Sequence, residues 1–210
     1  MEISNYLKIK EQLPKNVNLL AVSKGFQPSL IKRINDLGQY DFGESKFQEA
    51  YEKQVLLSHV DNLKWHFIGK VQSNKIRKIV KHFDYIHSVD SIKSLLKISN
   101  AAGEVGKTPK IMIQLKLAND PSKGGMQLND LISDWDKIIK IKNILIVGLM
   151  TINPKGLSSK ENLKLFIRCR EIADSLKLPD CSMGMSNDWS EAIEAGATWL
   201  RLGSVIFGER

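Results

Sequence analysis

Short apolar runs alternate along the whole chain with longer stretches whose apolar residues return every three or four positions. The short runs are residues 18–23, 39–43, 65–69, 85–89, 110–115, 144–150, 182–186 and 199–204. Each is apolar, β-branched or aromatic and is bounded by polar, glycine or proline residues, which is the mark of a strand. The stretches 28–37, 45–57, 71–82, 91–102, 128–140, 160–177 and 188–195 carry helical spacing. In the first of them Leu30, Ile31, Ile34 and Leu37 share one face, Pro28 opens the helix and Gly38 closes it. A further helix, over residues 2–12, precedes the first strand. Strands that alternate with helices in this way lie parallel, joined by crossover helices. The pattern predicts an α/β fold, a (β/α)8 barrel of the TIM type, with a length near the lower limit for that fold. An open doubly wound sheet is the alternative, but no GxGxxG run follows the first strand. No linker or low-complexity segment divides the chain, so a single domain over residues 1–210 is expected.

In such a barrel, chemistry gathers at the C-terminal ends of the strands. The first strand ends in Ser23-Lys24, the second in Gly43-Glu44-Ser45, the seventh in Gly184-Met185-Ser186 and the eighth in Arg201-Leu202-Gly203-Ser204. A lysine that ends a buried strand is costly unless its amine has a task. It can snorkel to solvent. It can also lose its proton in a desolvated setting and attack a carbonyl, which points to a Schiff-base lysine and to pyridoxal phosphate. Ser186 precedes a helix, where unpaired N–H groups favour a phosphate, although an ordinary helix cap uses the same hydroxyl. Gly203 allows close backbone approach beside Ser204. Arg201, inside a strand, needs a partner: either a carboxylate or a cofactor ring nitrogen, which a guanidinium would leave unprotonated. Met185 reads as core or pocket lining and His66 as a packed strand histidine.

Composition narrows the classes. The chain has 210 residues, 42% hydrophobic and 26% charged, enough for one sizeable core. No apolar stretch is long enough to span a membrane, and the N-terminus lacks the regions of a signal peptide, so a cytoplasmic protein is expected. Cys169 and Cys181 form no metal-ligand pattern, and a disulfide is not expected in a reducing compartment. The net charge of +8 gathers partly in Lys70, Lys75, Arg77, Lys78 and Lys81. A solvated helix face accounts for that cluster, and no nucleic-acid module accompanies it, so no nucleic-acid partner is expected. The positive balance also suits a phosphorylated small molecule.

Taken in order, Ala21-Val22-Ser23-Lys24, Phe42-Gly43-Glu44-Ser45, Trp65-His66-Phe67-Ile68-Gly69, Gln72-Ser73-Asn74-Lys75, Ser122-Lys123-Gly124-Gly125, Gly148-Leu149-Met150, Ser182-Met183-Gly184-Met185-Ser186, Arg201-Leu202-Gly203-Ser204 and the closing Ile206-Phe207-Gly208-Glu209-Arg210 are specific. On these motifs the chain resembles the pyridoxal phosphate homeostasis proteins, which are similar to the N-terminal barrel of alanine racemase. The resemblance implies a monomeric barrel that holds pyridoxal 5'-phosphate as a Schiff base on Lys24. It implies phosphate contacts from Ser186, Gly203 and Ser204, with Arg201 at the ring nitrogen. It implies a part in vitamin B6 homeostasis without established turnover. The leading expectation is a carrier that sequesters the aldehyde and hands it to apoenzymes. An amino-acid racemase is the alternative, but racemases take a catalytic tyrosine from a C-terminal domain that is not expected here. Ser45 stands where the family usually has asparagine and is carried over as a shorter candidate contact to the ring. Lys70 either aids anion capture at the mouth or faces solvent. Lys123 is either a second aldehyde acceptor or a plain loop lysine.

Overall fold

The computed structural model describes residues 2–120 and 123–208. The motif residues Ser122, Glu209 and Arg210, together with Pro121, lie outside the described residues. Eight parallel strands close in sequential order into a barrel. They are β1 (Asn18–Val22), β2 (Asp41–Glu44), β3 (Lys64–Phe67), β4 (Tyr85–Val89), β5 (Lys110–Leu115), β6 (Leu145–Thr151), β7 (Asp180–Ser182) and β8 (Trp199–Leu202). β8 closes on β1, with Leu20 opposite Arg201. The helices are α1 (Glu2–Gln12), α2 (Pro28–Asn35), α3 (Phe47–Leu56), α4 (Ile76–His82), α5 (Ile92–Val105), α6 (Leu128–Ile138), α7 (Ser159–Ser175), α8 (Trp189–Glu194) and α9 (Ser204–Phe207). The expected barrel is therefore present, and the open sheet is ruled out by the β8–β1 pairing.

Side chains alternate along each strand between two cores. Leu19 and Ala21 of β1, and Leu200 and Leu202 of β8, point outward into the large core between barrel and helices. Leu20, Met112, Met150 and Trp199 fill part of the interior. The rest of the interior is polar, with His66, His87, Ser182 and Arg201 all buried.

The boundaries depart from the sequence expectation where a local bond overrides the apolar run. β7 stops at Ser182 rather than continuing to Ser186. Gly184 adopts φ +89°, and an added Cβ there would lie 2.5 Å from the Ala192 Cβ, so the chain turns at a point only glycine fits. Asp188 then accepts the Met185 N–H at 2.7 Å and winds 185–188 into a turn. β8 likewise stops at Leu202, because Ser204 begins α9, a helix absent from the sequence expectation. The stretch 71–82 becomes a 3-10 turn at Ser73–Lys75 followed by α4. α9 packs against α1.

Candidate functional site

A cavity of about 440 Å³ opens at the C-terminal end of the barrel. Lys24 and Phe26 reach it from the loop after β1, Ile68 from beyond β3 and Ile152 from beyond β6. Met185 and Ser186 follow β7, Arg201 projects from β8, and Gly203 and Ser204 follow β8. Six of the seven residues expected from the sequence thus meet in one cavity: Lys24, Met185, Ser186, Arg201, Gly203 and Ser204. Ser45 is not among the residues that line it. It sits in the bend after β2, where its carbonyl faces Gly69 so closely that a Cβ there would fall 1.9 Å from the Ser45 oxygen.

The late wall is built from hydroxyls, backbone and one guanidinium. The Ser204 hydroxyl donates to the Ser186 hydroxyl at 2.9 Å, so the loops after β7 and β8 converge on one point. The Ser204 end of α9 and the preceding Gly203 face the same cavity. Arg201 is buried, and among the described residues it pairs with no carboxylate at hydrogen-bond range. Its Nη1 donates to the Ser182 carbonyl at 2.6 Å and to Ser182 Oγ at 2.8 Å, and its Nη2 donates to the Thr151 carbonyl at 2.8 Å. Burial lowers its pKa to about 10, which leaves it protonated at neutral pH. Three of the five N–H groups of a guanidinium are committed to the barrel in this way, which leaves two for the cavity it lines.

The early wall is fixed by charge. Lys24 is half-buried and flanked by Ser23 and Gly25, and both neighbours are tied to a buried network. The Ser23 hydroxyl donates to Glu44 Oε1 at 2.6 Å. Lys53, from α3, donates to the Ser23 carbonyl at 2.8 Å, to Glu44 at 2.8 Å and to Glu49 at 2.7 Å. The Gly25 N–H donates to Glu49. Burial pushes the Glu44 carboxyl up against the opposing bonds from Lys53 and Ser23. Burial acts the same way on Glu49, but the bonds from Lys53 and Gly25 prevail and hold it below the usual range. Sequence reasoning missed this brace. Its only visible signal is the Glu49–Lys53 spacing of i, i+4 on a helix, which says nothing of the strand residues the lysine reaches. Phe26, which lines the cavity, packs on Phe207 with ring centroids 4.9 Å apart and so joins the first loop to α9.

The remaining sequence candidates lie elsewhere. Lys75, Arg77, Lys78 and Lys81 follow the 3-10 turn and α4, where Arg77 pairs with Glu104 at 2.9 Å and Lys78 stands 6.0 Å over the Phe47 ring. Lys70 is exposed. Cys169 and Cys181 are buried free thiols on α7 and β7. Among the described residues no cluster of His, Cys, Asp or Glu suits a metal. No helix among them is long and apolar enough to cross a membrane.

The family described as "Alanine racemase, N-terminal domain" matches residues 3–210. The chain belongs to that family. Within it the chain groups with the pyridoxal phosphate homeostasis proteins. One of that name from Synechocystis is 42% identical over 213 residues, spanning 99% of this chain and 98% of the relative. Another from Pseudomonas aeruginosa is 38% identical over 200 residues, covering 94% of this chain and 86% of the relative. The solved structure of PipY from Synechococcus elongatus, with PLP bound, superposes with a TM-score of 0.96 at 40% identity, covering 99% of this chain and 100% of PipY.

Proposed function

We propose that this chain binds pyridoxal 5'-phosphate at the barrel mouth, as a Schiff base on Lys24, and holds it for intracellular vitamin B6 homeostasis. The observation that carries this reading is the meeting of an amine, a hydroxyl pair and a buried guanidinium in one cavity. Lys24, the Ser186–Ser204 pair and Arg201 come from strands at opposite ends of the chain, yet all line the same space of about 440 Å³. That volume falls within the range of about 300–1,000 Å³ usual for small-molecule sites. The donor set fits the ligand's three functional parts. When bound, the cofactor supplies an aldehyde that an amine can take up and a pyridine ring that can draw electrons.

The chain's own groups divide the work. Lys24 offers the amine to the aldehyde. The Ser186 and Ser204 hydroxyls, with the Gly203 backbone, receive the phosphate. Arg201, still protonated, donates to the ring nitrogen and cannot protonate it further. A ring kept in that state draws electrons weakly, which favours storage over turnover. Among the described residues lining the cavity, only Lys24 and Arg201 ionise. The relatives' name and the PLP-bound PipY structure support the same reading. We take the protein to act as a single barrel over residues 1–210, as a cytoplasmic monomer that passes the cofactor to apoenzymes.

The test is spectroscopic. Protein incubated with pyridoxal phosphate and freed of excess should show the visible band of lysine-bound cofactor, and Lys24→Ala should abolish it. Absence of the band in the unsubstituted protein overturns the reading. Alanine racemisation above a protein-free control would instead assign an enzyme.

A further inference from the structure

A file of polar side chains runs through the barrel interior from its floor to the cavity. Asp41 opens β2 at the N-terminal face, with its side chain 21% exposed. Its Oδ1 lies 2.9 Å from His66 Nε2. His66 Nδ1 lies 2.9 Å from His87 Nε2, and His87 Nδ1 lies 2.9 Å from Ser182 Oγ. Ser182 Oγ receives Arg201 Nη1 at 2.8 Å. The two histidines, the serine and the arginine are all buried. Tyr85 stacks on His66 at 4.2 Å between centroids and Trp199 lies 5.0 Å away, so aromatic rings pack around the His66 imidazole.

The two ends of this file differ in kind. A guanidinium only donates and a carboxylate only accepts. A hydroxyl oxygen can accept twice, so the direction is set from the Asp41 end: with both imidazoles neutral, each group donates toward Asp41 and accepts from the Arg201 side. Ser182 accepts from Arg201 and gives its hydroxyl proton to His87 Nδ1. His87 then carries its proton on Nε2 and donates to His66 Nδ1, and His66 carries its own on Nε2 and donates to Asp41. We propose that Asp41, His66, His87 and Ser182 are positioning residues for Arg201, joined in a hydrogen-bond relay whose direction the Asp41 carboxylate dictates. The relay requires both imidazoles to be neutral. Burial lowers both, most strongly His87, where the charge of Arg201 and the neighbouring His66 add to it. The charged groups around the pair are Asp41, Asp84 and Lys64 on the His66 side and Arg201 on the His87 side. A proton added to His87 would make its Nδ1 a donor too, which turns the Ser182–His87 bond around while the bonds toward Asp41 keep their direction.

The consequence for the cavity rests on the cofactor reading above. Asp41, at the opposite end of the barrel, would set how firmly Arg201 meets the ring nitrogen. The relay itself can be tested without cofactor. Ring-nitrogen NMR of the cofactor-free protein at neutral pH should show the Nε2–H tautomer for both His66 and His87. An Nδ1–H tautomer or an imidazolium at either ring overturns the proposal. Asp41→Leu removes the terminal acceptor and should give mixed tautomers at both rings, whereas Asp41→Asn retains an acceptor oxygen and should preserve the pattern. In the loaded protein, Asp41→Leu should weaken pyridoxal phosphate binding about threefold to tenfold, the worth of one hydrogen bond. Asp41→Asn should stay within about twofold of the unsubstituted protein, on the same scale. Unchanged tautomers and affinity in Asp41→Leu overturn the relay. Failure of the unsubstituted chain to take up the cofactor overturns the cofactor reading alone, since the ring-nitrogen pattern is read without it.

Discussion

On the β1–β2 side of the cavity, the residues around Lys24 are held by carboxylates and an ammonium that do not line the cavity. On the β7–β8 side, the wall facing the cavity is made of neutral hydroxyls, peptide groups and one guanidinium. The difference follows from what each wall must do. The first has to fix a backbone position whether or not anything is bound, and a charge network buried behind the strand does this without presenting charge to the ligand. The second has to receive an anion, so a carboxylate there would repel it, while N–H and O–H groups attract it without a fixed negative charge. The two walls should therefore fail differently: damage to the first lowers stability, and damage to the second lowers retention.

The largest effect is expected at Lys53. Glu44 is fully buried, and Lys53 is its ion-pair partner at 2.8 Å. Removing one member of a buried pair leaves an uncompensated charge at a cost of about 3–5 kcal/mol. Lys53→Met should accordingly lower the thermal midpoint by about 6–20 °C, taking roughly 2–4 °C per kcal/mol for a domain of this size. Adding Glu44→Gln should recover part of the loss, because it removes the stranded charge. A shift of under about 2 °C in Lys53→Met would mean the network carries no stability, which erases the contrast between the walls.

The second effect belongs to the late wall. Ser186→Ala and Ser204→Ala should each weaken pyridoxal phosphate retention by about tenfold or more, since a hydrogen bond to a charged group is worth about 1.5–3 kcal/mol. Their thermal midpoints without cofactor should stay within about 2 °C, as for surface substitutions. The hydroxyls bond each other at 2.9 Å, so the double substitution should cost less than the two singles combined. If both singles bind with unchanged affinity, the phosphate site lies elsewhere in the cavity.

The same contrast explains what the sequence made legible. The barrel was readable because each strand is an apolar run between helices of clear period, as in β5 (Lys110–Leu115) and α5 (Ile92–Val105). The late wall was readable because its donors sit on short local motifs, Gly184-Met185-Ser186 and Arg201-Leu202-Gly203-Ser204. The end of β7 was misplaced because the turn at Gly184 is set by Ala192, eight residues on, and by the Asp188 carboxylate rather than by the apolar run. The brace and the interior file were invisible for a related reason. Lys53 meets Ser23 across thirty positions, and His87 meets Ser182 across ninety-five. Only barrel closure brings such pairs together. His66 was correctly read as a packed strand residue, but the packing gave no hint of its partner.

Ser45 is the smallest and sharpest case. The family resemblance carries it over as a contact to the cofactor ring, yet it does not line the cavity, and its carbonyl abuts Gly69. Its backbone is thus committed to the β2–β3 junction, and the residue is not part of the cavity lining. Ser45→Ala should change pyridoxal phosphate affinity by less than about twofold, within about 0.5 kcal/mol. Ser45→Asn restores the residue usual in the family and extends the side chain by one amide group. If that variant tightens retention by about threefold or more, the value of one hydrogen bond, then the end of β2 is a ring contact that this chain has shortened. If it is as neutral as Ser45→Ala, Lys24 is the one polar group that the described residues of the β1–β2 side bring to the cavity. The division between a wall that braces and a wall that binds then holds apart from that single amine.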